Sequence, residues 1–219
     1  MASKKPPTPK LPQPWDRISG LKGDDSAEVT YAAVGRALSS WEYFENEFAK
    51  LFSRFLGLLD NNLPAIRAYG SVLTFKGRAS MVEAAAEAFY FLKPNPTMHA
   101  KIEDIIDRSG QFSGRRNEIA HGVVRQITDP GPVIQGPTGG MMRLPIVWGY
   151  GVVPSEYATN KTDLAPALSL LSDIERVPKY RYSSAELIRY STEFTILGSE
   201  TQILSTEIFH RDLRGETSL

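Results

Sequence analysis

A stripe of large apolar residues, Val34, Leu38, Trp41, Phe48, Phe52 and Phe55, runs through the first quarter of this chain at spacings of three, four and seven. An α-helix turns once per 3.6 residues, so these side chains fall on one side of it. Asp24, Asp25 and Ser26 offer N-caps ahead of the stripe and Gly57 follows it, which predicts one long amphipathic helix ending near Gly57. A stripe this rich in aromatics has to be covered by other elements, and most of the candidates also read as helices. Leu63 to about Leu73 forms one, and Lys76 to Leu92 a second, with the alanine-rich stretch Glu83 to Ala88 supplying propensity. Lys93-Pro94-Asn95-Pro96 then breaks the chain. The next helix runs from Thr97 toward Gly122 and puts Ile102, Ile105, Phe112, Ile119 and Val123 on one side; Gly110 and Gly114 predict a kink or short break within it. Ser183 with Glu186 reads as a capping box opening a last helix through Leu187, Tyr190, Phe194, Leu197, Leu204 and Ile208.

Between these helices the pattern changes. Val123 to Ile127 and Met141 to Val153 are rich in β-branched and aromatic residues, while Asp129 to Gly140 holds three prolines and four glycines. This predicts a β-hairpin with a long mobile loop. Tyr157 to Tyr182 has no clear pattern apart from a short helix within Leu164 to Ile174. The expected fold is mainly α, an up-and-down bundle of about five helices with a β-hairpin insertion before the last helix. Residues 24–212 form a single domain with the β insertion at about 123–160. Residues 1–23 are expected to be a disordered tail rich in proline and lysine, and 213–219 a second tail.

Charge is balanced, with 25 basic and 25 acidic residues, so no overall field draws the chain to nucleic acid or to an anionic membrane, and any nucleic-acid site has to be local. The absence of cysteine removes disulfides, thiolate nucleophiles and thiolate metal sites, and fits a reducing, cytoplasmic setting. Nothing approaches the roughly 20 apolar residues of a membrane span. The opening MASKKPPTPKLPQP has positive charge and five prolines but no apolar core of a secretory signal.

Only three histidines, His99, His121 and His210, can move protons near neutral pH. His99 lies in a helix's first turn without an obvious partner, and His210 near a helix end where a cation suits the dipole; both read as structural. His121 closes the run Arg115-Arg116-Asn117-Glu118-Ile119-Ala120-His121-Gly122. At about 100° per residue Asn117 and His121 share a face, Arg116 falls toward the apolar stripe and Glu118 falls roughly opposite it, toward water. A guanidinium at the stripe needs a partner or a cleft, and its length lets it curl toward the His121 flank. Glu45 interrupts the first helix's stripe between Trp41 and Phe48. An edge position with its carboxylate in water accounts for it, and it also stands as a candidate substrate contact.

The run RRNEIAHG closely resembles the Arg-x4-6-His signature of HEPN domains in its Arg-Asn-x-x-x-His form, and it lies just before the penultimate connection, as that family's motif does. The resemblance spans residues 24–122 and 183–212 and leaves the β insertion outside. It implies metal-independent RNA cleavage at a composite cleft formed by a homodimer, in a toxin or phage-defence setting with an inhibitory partner protein. Carried over, Arg116 would hold the scissile phosphate, His121 would transfer protons, Asn117 would orient the phosphate, and Arg115 would contact substrate. No cofactor or metal is implied. Some relatives carry a tyrosine two residues past the histidine, where this chain has Val123.

Two other readings stand beside this one. A non-catalytic HEPN-like module would bind RNA or protein with the motif retained. Glu118-x-x-His121 and Glu207-x-x-His210, with Glu45 and Glu83 or Glu87, match the pattern of di-metal carboxylate bundles, against which the expected outward direction of Glu118 counts. Trp148, Tyr150 and Tyr180-Arg181-Tyr182 could stack bases, although strand packing explains the same residues. Gly136 to Gly140 lacks the lysine of a phosphate-binding loop and reads as a hairpin tip.

Overall fold

The computed structural model describes residues 11–18, 22–57, 62–137, 139–155 and 180–213. Among them the order is α1 (Ala27–Phe55), α2 (Leu63–Ser71), α3 (Phe75–Leu92), α4 (Pro96–His121), β1 (Gly122–Gln135), β2 (Met141–Pro154) and α5 (Ser184–Leu213). These residues are mainly helical, with one two-stranded antiparallel sheet among them. No described helix is long and apolar enough to cross a membrane. The helix expected within Leu164 to Ile174 lies outside the described residues.

The α1 stripe is the centre of the core. Ala37, Trp41, Phe44, Phe48 and Leu51 are fully buried, and Leu187, Tyr190, Phe194 and Leu197 of α5 meet them. Trp41 sits within 5.0–5.1 Å, ring to ring, of Phe44, Phe75 and Phe194, and Phe194 stands edge-on to Phe112 of α4 at 5.6 Å. Edge-to-face geometry adds to the burial of these rings. Close approach of α1 and α5 depends on Gly198, where a Cβ would lie 2.6 Å from the Tyr43 ring and 3.2 Å from the Phe44 Cα.

Several expectations change on contact with the structure. The α4 helix runs unbroken from Pro96 to His121, with open space around Gly110 and Gly114, because its buried face, Ile102, Ile105, Phe112 and Ile119, is continuous across both glycines. Ser26 caps α1, but Asp24 turns elsewhere. Its carboxylate accepts from the Ser184 backbone N–H at 2.8 Å and the Ser184 hydroxyl at 2.6 Å, so it caps α5 in place of the predicted Ser183 box. The Ser183 hydroxyl is buried with no hydrogen-bond partner among the described residues, and Glu186 instead accepts from the Ile18 N–H at 2.9 Å. Part of the stretch expected as a disordered tail is packed on the helices. Residues 11–18 lie along α4 and α5, with Trp15 edge-on to Phe112 at 5.8 Å and the Arg189 guanidinium donating to the Asp16 carbonyl at 2.6 Å.

The hairpin is longer than its composition suggested. In place of a long loop after Ile127, the strands continue to Gln135 and from Met141, closing with a turn at Gly136–Gly140. Pro130, Pro132 and Pro145 are tolerated because the ribbon has only two strands and its register slips beside them, between Pro130 and Val133. Its root is anchored by backbone pairing of Tyr150 with Asp24 and of Val152 with Tyr182. Tyr180 and Tyr182 are both buried and stack on each other at 5.1 Å, so packing accounts for them and their faces are not open to bases.

Candidate active site

The last two turns of α4 carry Arg115, Arg116, Asn117, Glu118 and His121, and the helix passes into β1 without an intervening loop. Gly122 makes that join. A Cβ there would overlap the Val152 side chain and the Glu118 carbonyl, so only glycine lets the hairpin root press against the helix end.

Glu118 departs from the ideal-helix expectation. It is not directed to water: its side chain is only 17% exposed and receives Arg17, Arg115 and the Tyr182 hydroxyl. Arg115 Nη1 donates to Glu118 Oε2 at 2.6 Å and to the Tyr182 hydroxyl at 3.2 Å, while the Tyr180 hydroxyl donates to the Glu118 carbonyl at 3.0 Å. Burial, followed by the hydrogen bond to Glu118, pushes the Tyr182 phenol well above the ordinary tyrosine range, so it acts as a fixed donor. A cavity of about 500 Å³ lies beside this cluster, lined by Pro12, Trp15, Asp16, Arg17 and Arg115.

Arg116 takes a separate direction. Its Nη2 lies 3.3 Å from Glu42 Oε1 on α1, its Nη1 donates to the Asn117 amide oxygen at 3.3 Å, and its side chain is 30% exposed. The Nε atoms of Arg115 and Arg116 are buried and have no hydrogen-bond partner among the described residues. Asn117 and His121 are exposed, and no hydrogen bond or ion pair reaches the His121 imidazole from the described residues. The structure therefore brings Arg116 and Asn117 together and sets His121 one turn beyond Asn117 on the outer flank. Among the described residues, Asn117 and His121 stay on the surface.

Glu45 stands apart from this group. It is buried, accepts from Trp41 Nε1 at 2.7 Å and pairs with Arg78 of α3, so it does not reach water as an edge residue would. The carboxylate that meets Arg116 is Glu42, one α1 turn earlier, which the sequence reading did not single out. Its only sequence signal was its place on the face of α1 next to the apolar stripe.

The di-metal arrangement has no geometric basis among the described residues, where no three histidine or acidic side chains stand close enough to share an ion. Glu118 is engaged by two guanidinium groups, and Glu207 pairs with Lys101 at 3.6 Å near the other end of α4. At 1.5 Å per residue the two Glu-x-x-His pairs are roughly 25 Å apart along that helix. A cavity of about 920 Å³ between the first turns of α4 and the last of α5 is lined by Lys101, Glu207 and His210 among others. His99 lies against the Tyr90 ring at 5.2 Å, with Glu103 at 3.8 Å. Neither cavity includes Arg116, Asn117 or His121 in its lining. No family model, curated protein or solved structure matches this chain.

Proposed function

We propose that this chain is a metal-independent endoribonuclease of HEPN type, built as an up-and-down bundle with a hairpin before its last helix, and active as a homodimer. The observation that carries the reading is the Arg116–Asn117 contact beside an exposed His121 that has no partner among the described residues, all within the run RRNEIAHG. A half-site of this kind is completed by a second copy, which brings two guanidinium groups and two imidazoles around one phosphodiester.

In that cleft one imidazole takes the proton of the ribose 2′-hydroxyl. The 2′-oxygen attacks phosphorus, the bond to the 5′-oxygen breaks, and the second imidazole, as its cation, protonates that leaving oxygen. The products are a 2′,3′-cyclic phosphate and a 5′-hydroxyl. Arg116 offsets the charge that builds on the non-bridging oxygens, and Asn117 aims the guanidinium through its amide oxygen. Arg115, held by Glu118, would contact the RNA backbone only after leaving that carboxylate.

Purified protein is to be incubated with RNA in chelator. His121→Ala should lose roughly 10²–10⁴-fold in cleavage rate, the range for a general acid–base group, and Arg116→Ala roughly 10²–10³-fold, the range for a lost charge-stabilising donor, both with unchanged circular dichroism. Parent protein that leaves RNA intact, or variants that cut as fast as the parent, would overturn the enzyme reading. The second reading, a non-catalytic HEPN-like module for RNA or protein, is favoured by one feature: Arg115 and Arg116 both already face carboxylates, Glu118 and Glu42. RNA binding without cleavage by the parent supports it. Action in a toxin or phage-defence system, with a restraining partner protein, belongs to the same proposal and rests on the family resemblance alone.

A further inference from the structure

The β1–β2 ribbon extends beyond the part of it that is packed. Near its root Ile127 and Val152 are buried, but past the register slip at Thr128 the apolar side chains are open: Met141 is 72% exposed, Val147 52%, Val133 48%, Leu144 and Ile146 44%, and Trp148 41%. Together these six expose on the order of 600 Å² of side chain, more than a scattered surface carries and most of the roughly 800 Å² per partner of a standard interface. Adjacent strand residues point to opposite faces, so Ile146 and Val147 make both faces of the ribbon apolar. A hairpin that met only its own body would keep one face polar.

Charge and backbone indicate what covers it. From Thr128 to Trp148 the only charged residues are Asp129 and Arg143, one of each sign, so the segment attracts neither nucleic acid nor an anionic surface and does not repel its own copy. Among the described residues nothing pairs with the outer edge of β1, and the outer edge of β2 is paired only at Tyr150 and Val152. Open edges on an isolated two-stranded ribbon are a template for another strand, and such a ribbon is marginal alone. We propose that the distal half of the hairpin is a self-association arm that pairs with the same ribbon of a second copy of this chain. The identical ribbon supplies apolar cover, a neutral surface and strand edges at once. The inference does not rest on the nuclease reading, because the pairing uses neither Arg116 nor His121.

The chain lacks cysteine, so a single introduced one reports alone. Val147→Cys and neighbouring single-cysteine variants along Met141–Trp148 are to be oxidised at micromolar concentration and run without reductant, with Leu73→Cys, 93% exposed on the helical body, as the control. The expected result is a disulfide-linked dimer from ribbon positions and none from Leu73. Light scattering should also report a lower mass for the Ile146→Lys/Val147→Lys variant than for the parent, with unchanged circular dichroism. If that variant fails to fold, the near-isosteric cysteine set decides. Cross-linking no faster on the ribbon than at Leu73, or an unchanged mass in the folded lysine variant, overturns the proposal. So does a monomeric parent that instead floats with phosphatidylcholine vesicles. Ribbon cross-links that persist in Arg116→Ala/His121→Ala protein without RNA cleavage by the parent would retain the arm and discard the nuclease.

Discussion

Buried charge at single residues has consequences that can be measured. Glu45 and Arg78 pair inside the α1–α3 seam, with side chains 7% and 24% exposed. Arg78→Leu leaves a buried carboxylate with no counter-charge and only the Trp41 indole N–H as partner, and the expected cost is roughly 3–5 kcal/mol in urea unfolding; Glu45→Gln should cost less because Gln carries no charge and can still accept from Trp41. Equal losses for the two would mean that the pair does not carry its charge in the fold. Glu186 works in the opposite sense. Burial raises its carboxyl above the ordinary 4.5, despite the Ile18 N–H and nearby arginines, so the folded chain holds that proton more tightly than the unfolded one. More protons are then bound folded than unfolded, and this contribution to stability is present at low pH and lost as pH rises past 4.5 through the folded value. Glu186→Gln should flatten the fall in unfolding free energy between mildly acidic and neutral pH. A pH profile identical to the parent's would refute this.

At the scale of elements, Asp24 ties together three segments far apart in the chain. Its carboxylate caps α5 and receives the Thr30 hydroxyl at 2.6 Å, and its backbone bonds to Tyr150 of β2 at 2.7 Å in both directions. Asp24→Ala should cost about 2 kcal/mol, the upper end for a lost cap, and Asp24→Asn clearly less. A loss under about 0.5 kcal/mol in denaturant titration would show that the cap is replaceable. This residue also marks where local reading of the sequence stops. Periodicity located α1, α3, α4 and α5 to within a few residues because each buries one stripe, and the motif run falls at the end of α4 as its spacing indicated. Asp24 was legible as a cap, but which helix it caps depends on a contact across 160 positions. Glu118 misled for the same reason: its angle on an ideal helix is outward, and its partners Arg17 and Tyr182 come from segments without periodicity of their own. Strand continuation past Pro130 was hidden because proline is a poor strand former except on a ribbon with open edges.

Across the whole molecule the tyrosines set an alkaline limit. Tyr69, Tyr182 and Tyr190 are buried, and burial is the largest cause raising each phenol, Tyr190 to about 12 and the other two further. The unfolded chain releases these protons near pH 10 and the folded one holds them, so stability falls as pH climbs past 10. Phenolate absorbance should therefore rise in two parts, exposed tyrosines first and the buried set together with loss of helical circular dichroism. Full ionisation near pH 10 with the helices intact would refute it.

The dominant partners α1 and α5 sit at opposite ends of the described chain, with every other element between them. During synthesis the aromatic stripe of α1 emerges early and has only α2, α3, α4 and the hairpin for cover until the final thirty-residue helix, its most extensive helical partner, leaves the ribosome. Folding of such a chain waits on its most distant contact, so nascent α1 is the segment that a chaperone would meet exposed.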